Sequence, residues 1–92
     1  MVSVAHDIWN DDSANYVQNK LIPQIAVIQN DAQNAHLNAS LSQTVQSQLS
    51  QAQTLLDNAI QSFQSGNSSA GAQQVQQAMQ LMQQAIHEIQ GH

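Results

Sequence analysis

The chain has no cysteine, one proline, three glycines, and a single residue each of tryptophan, tyrosine and phenylalanine. Without cysteine there is no disulfide framework, no thiolate zinc site and no cysteine nucleophile. Basic charge is almost as scarce. Lys20 is the sole Lys or Arg, against six carboxylates at Asp7, Asp11, Asp12, Asp31, Asp57 and Glu88. Nucleic-acid binding needs Lys and Arg to displace the counterions of phosphates, so no nucleic-acid partner is expected. Attraction to anionic membrane surfaces is disfavoured for the same reason. The longest apolar run, Ile25-Ala26-Val27-Ile28, falls far short of the ~20 residues of a membrane span, and none is expected. The opening residues, Met1-Val2-Ser3-Val4-Ala5-His6-Asp7, lack the basic region and apolar core of a signal peptide. A leader removed upstream of Met1 stays open.

Polarity comes instead from nineteen glutamines, with many serines and asparagines. Such a surface keeps its hydration whatever the pH or salt. That points weakly to an extracellular, periplasmic or acidic setting, and it fits drift in a robust bundle equally well. Glutamine-rich composition can also signal disorder, but here the periodicity argues for packed helices. Val17, Leu21, Ile25, Ile28, Ala32 and Ala35 recur at spacings of three and four. So do Leu41, Val45, Leu49, Ala52, Leu56, Ala59 and Phe63, and then Ala72, Val75, Met79, Met82, Ile86 and Ile89. These are one-face helical spacings, not the alternation of a strand. Gln, Ala, Leu and Met are good helix formers besides. The fold class expected is all-α.

At 92 residues the chain makes one domain, burying about 60% of its unfolded surface. The clearest boundary is Ser65-Gly66-Asn67-Ser68-Ser69. Gly66 can close one helix in the left-handed conformation, and Asn67, Ser68 or Ser69 can cap the next. A second boundary is expected near residues 37–40, where Ser40 and Gln43 read as a capping box. The reading is an antiparallel three-helix bundle, up-down-up, with helices over about 12–36, 41–64 and 69–90 and an arm over 1–11. Asp12 or Ser13 is placed as the cap of the first helix. Trp9 and Ile8 are expected to fold back over one end. Because the apolar stripe runs through Ala39 nearly in phase, a single helix from about 23 to 64 stays open. Together with the hairpin it would form a dimeric bundle. Pro23 fits a first helical turn or a kink. Met79, Met82 and Leu81 widen the third stripe, which favours a homo-oligomer or protein partner.

Chemistry-bearing residues are few. Pairing the last two helices about the Gly66 turn sets residue 92 opposite about residue 42. His36 then lies near His92, with His87 and Glu88 one turn below. Imidazoles with a carboxylate can hold Zn, Cu or Ni, so His36, His87, His92 and Glu88 are the candidate metal ligands. Solvated histidines at helix ends are the plainer account, since they complement the dipole there. His6, Asp7, Asp11 and Asp12 form an acidic knot without the spaced oxygens and glycine of a calcium loop. No nucleophile elbow, paired carboxylates or phosphate loop is legible, so no catalytic residue is assigned and an enzyme is not expected. Asn38-Ala39-Ser40 and Asn67-Ser68-Ser69 match the glycosylation sequon, a match expected by chance in so Asn- and Ser-rich a chain.

The C-terminal hairpin, with Leu56-Asp57-Asn58-Ala59-Ile60, then Gly66-Asn67, then Ala78-Met79, resembles one repeat of small periplasmic metal-binding bundles. Those are short, cysteine-free, up-and-down four-helix proteins rich in histidine. The resemblance covers about the last forty residues and implies a helical hairpin with metal affinity. Where that family places histidine, this chain mostly has other residues, such as Ser62, Gln74 and Leu81. His87 and His92 alone keep the pattern. The function expected is therefore a non-enzymatic structural or protein-interaction module, self-associating and without a cofactor. The alternatives are a metal-buffering bundle using the histidines and a carrier of apolar ligands lined by Met79, Met82 and Leu81.

Overall fold

A computed structural model describes residues 12–91 and consists of three helices, with no strand among the described residues. The first, α1, runs over 12–34, α2 is Ala39–Gln64, and α3 is Ser68–Gly91. The arm and the fold-back expected of Ile8 and Trp9 lie outside the described residues. Asp12 and Ser13 already belong to the helix rather than capping it.

Proline shapes α1. Val17–Leu21 is a π-helical turn in which the Ile22 N–H reaches back to the Val17 carbonyl, and the α-helical stretch Ile22–Asn34 follows. Pro23 has no N–H to donate, and its ring crowds the carbonyl one turn earlier. One widened turn just upstream accommodates both effects without ending the helix. Val17 and Leu21 stay buried through the π turn, so the apolar face keeps its aim across the proline.

The α1–α2 junction is a real break, so the continuous helix over 23–64 does not form. Ala35 closes α1, and His36 takes a left-handed φ of 54°. Asn38 then caps α2, its side-chain oxygen accepting from the Leu41 N–H at 2.8 Å. The expected capping box at Ser40 is therefore displaced by two residues. Asn38 sits three before the Leu41 N–H, so Ser40 falls inside the helix, where its carbonyl accepts from the Thr44 hydroxyl.

The α2–α3 turn is short, spanning residues 65–67. Gly66 has φ 88°. The Asn67 N–H donates to Ser62 O at 2.8 Å and the Gly66 N–H to Phe63 O at 3.1 Å, the bond pair of a Schellman motif. Asn67 ends one helix and begins the next, because its side-chain oxygen also accepts from the Ala70 N–H at 3.2 Å. Both sequon asparagines are thus helix caps.

Direction follows from shared grooves. Tyr16 and Val17 meet Phe63 and Val75 at one end, and Gln29 and Gln33 meet Ser42 and Gln46 at the other. The helices therefore run up-down-up. Most of the packing lies between α2 and α3. Two cross-hairpin hydrogen bonds fix their register: Ser62 Oγ to Gln74 Oε1 at 2.9 Å, and Gln48 Nε2 to Glu88 Oε1 at 3.5 Å. Glu88 thus faces Gln48, two residues from the pairing the sequence suggested.

The third apolar stripe needs correction. Core positions in α1 (Ala14, Val17, Leu21, Ile25, Ile28) and α2 (Val45, Leu49, Ala52, Leu56, Ala59, Phe63) follow their expected stripes. In α3 the buried line is Gly71, Ala78, Met82 and Ala85, while Ala72, Met79 and Ile86 face outward. Small residues recur every seven positions at 71, 78 and 85, and the register carries Ala52 and Ala59 to within one residue of the levels of Ala85 and Ala78. Those four alanines are all 0% exposed. A seam of small side chains lets two backbones approach closely, and bulk such as Met79 is pushed to the flank.

At Gly71 the Phe63 ring takes the space of a side chain: a Cβ there would lie 2.7–2.8 Å from three of its ring carbons. Ala has a helix propensity about 1 kcal/mol better than Gly, whereas overpacking a core costs about 1–3 kcal/mol. With the ring buried, the clash wins. Urea unfolding should find Gly71→Ala destabilised by about 1 kcal/mol or more, and stabilising once Phe63→Leu has cleared the ring.

Candidate functional site

At the end of the hairpin remote from its turn, α3 carries His87 and Glu88 on adjacent positions, which point about 100° apart around a helix. Both line a shallow groove of about 370 Å³ with Gln48, Gln80, Gln83 and Gln84. His87 is exposed and Glu88 half-buried. Gln48 donates to Glu88 Oε1, while Glu88 Oε2 and Gln48 Oε1 are buried without a hydrogen-bond partner. Two inward oxygens and a rim imidazole make an acceptor-rich corner, suited to a donor group or a cation.

The structure brings together only part of the expected ligand set. His87 and Glu88 share the groove, but His36 is not among its lining residues. His36 sits exposed in the α1–α2 junction, donating its N–H to Gln33 O at 3.4 Å. His92 lies outside the described residues, as do His6, Asp7 and Asp11 of the acidic knot. Among the described residues, no group of three or more His, Asp or Glu is placed to hold one metal ion. Ser62 and Gln74, where the resembled family would carry histidine, hydrogen-bond to each other.

A second feature is the outer face of α3. Met79 is 43% exposed and Ile86 38%. Lying seven residues apart, they share one face, with exposed Ala72 seven residues before Met79. Val75 is half-buried beside them. Met82, by contrast, is core at 4% exposure, and Leu81 is half-buried. The sequence signal for this outward face was present but unread. It is the recurrence of Gly71, Ala78 and Ala85, which competes with the larger stripe and wins the core.

No helix among the described residues is long and apolar enough to cross a membrane. No protein-family model, curated protein or solved structure matches this chain.

The left-handed backbone at His36 costs an L-residue about 1–2 kcal/mol, although His tolerates that region better than most. His36→Gly relieves the strain at some cost in unfolded-chain entropy. Chemical denaturation is expected to show a gain of about 0.5–1 kcal/mol; a loss of stability would mean that the imidazole holds a contact that matters.

Proposed function

We propose that this chain is a non-enzymatic structural or protein-interaction module that self-associates through the outer face of α3. The observation that carries the reading is the exposure of Met79 and Ile86, seven residues apart on one helical face. Heptad-spaced apolar side chains form the seam by which helices of separate chains pack. Tyr16 and Val27 on α1 are exposed too, but Met79 and Ile86 share one face of α3, as the side chains of a contact surface do. Only one basic residue is present in the whole chain, so such contacts rest on apolar burial and glutamine hydrogen bonds rather than ion pairs. The charge-poor surface suits an extracellular or periplasmic setting.

Sedimentation equilibrium from low micromolar to near-millimolar concentration tests the reading. The wild type should rise in mass towards a dimer. Met79→Gln with Ile86→Gln should weaken association at least tenfold, or about 1.4 kcal/mol, without loss of helicity. A wild type that stays monomeric throughout would contradict it.

A second reading is a small metal-binding bundle. Its support is that Gln48 and Glu88, each with one buried oxygen that has no hydrogen-bond partner, line the same groove as His87. The proposed donors are His87 and Glu88, completed by His92 or His36, for Zn, Cu or Ni. A metal at 100 times its dissociation constant adds about 2.7 kcal/mol to the folded state. On this reading, chelator-stripped protein melts clearly higher with one of these metals, and replacing His36, His87 and His92 removes the shift. An unshifted melt would leave the interaction module standing alone.

A further inference from the structure

At the α2–α3 turn end, Asp12, Ser13, Tyr16 and Val17 of α1 face Phe63, Ala72 and Val75 across an open apolar groove of about 430 Å³. Tyr16 stands on its rim at 59% exposure, a large ring left largely in water beside apolar walls. The groove is at the place where residues 1–11 join the bundle, since Asp12 itself lines it. That segment carries Val2, Val4, Ile8 and Trp9, the last being the chain's sole tryptophan.

We propose that this groove is the docking site of the chain's own N-terminal segment, with Trp9 as the anchor. Reach is ample: Trp9 precedes Asp12 by three residues, which span up to about 10 Å when extended. Asn10 and Asp11 between them are residue types that favour a reversal of the chain and a helix cap. A tethered segment meets its groove at an effective concentration of order millimolar, which no free partner matches at ordinary abundance. An indole suits the walls, because a buried Trp contributes about 150–250 Å² of contact and keeps one polar N–H for the wet edge. Asp12 and Ser13 supply acceptors at that edge. A second copy, or a free apolar molecule, would have to displace the tethered segment.

The single tryptophan makes the test direct, because all indole emission comes from Trp9. In the intact protein its emission maximum should lie to the blue of the urea-unfolded chain, with acrylamide quenching several-fold weaker, and neither should change on dilution. Ala72→Glu crowds the groove from an exposed helical position, so it should move both readings towards the unfolded values while far-ultraviolet circular dichroism stays unchanged. Ile86→Gln, on the proposed association face but outside the groove, should leave Trp9 shielded. This control separates failure here from failure of the self-association reading. Emission matching the unfolded chain overturns the proposal. So does shielding that survives Ala72→Glu in a folded protein, and so does shielding lost on dilution or with Ile86→Gln, which would assign the indole to a contact between copies.

Discussion

The close approach of α2 to α3 is the constraint from which the rest of the structure follows. Ala52 and Ala59 on one helix and Gly71, Ala78 and Ala85 on the other remove side-chain bulk from the line between the backbones. Each contributes little apolar area. What they allow is short range: many weak dispersion contacts and a single fixed register, because neither helix can slide without driving a larger residue into the seam. The short Gly66–Asn67 turn and the Ser62–Gln74 and Gln48–Glu88 hydrogen bonds agree with that register. Local turn chemistry and long-range packing thus specify the same hairpin, which is the consistency expected of a uniquely folding sequence.

Two consequences reach the surface. Giving the seam to small residues rotates α3 so that Met79 and Ile86 emerge on its flank instead of joining the core. The helix then has two faces, an inner one against α2 and an outer one that leaves Met79 and Ile86 exposed. At the turn end, the large Phe63 ring fits because Gly71 gives way to it, and the space beside that ring, between α1 and α3, is the apolar groove next to the N-terminal segment. Exposed apolar face and groove both follow from how the hairpin packs.

Much of the fold was legible in the sequence. The two stripes from Val17 to Ile28 and from Val45 to Phe63 are buried as their spacing implies, and Gly66 turns the hairpin where it should. The third stripe misled, because hydrophobicity alone ranks Met79 and Ile86 above Ala78 and Ala85 and ignores the steric demand of the facing helix. Ser40–Gln43 matches a familiar capping pattern, yet it is Asn38 that accepts from the Leu41 N–H and caps α2. Only the competing placement of Leu41 decides between them. Of the candidate metal ligands, spacing brought His87 and Glu88 to one groove. His36, which spacing put near the same end, sits in a left-handed junction that no Gly or Pro announces and does not line that groove.

The most direct test of the seam is to add apolar volume inside it. Ala85→Leu increases hydrophobicity and is neutral in helix propensity to within a few tenths of a kcal/mol. By transfer free energy alone it would stabilise the fold. If backbone proximity is the controlling constraint, urea unfolding will instead show a loss of about 1–3 kcal/mol, while the same enlargement at exposed Ala26 costs little. An Ala85→Leu protein as stable as the wild type, or more so, would mean that α2 and α3 are not held together by close packing of small residues.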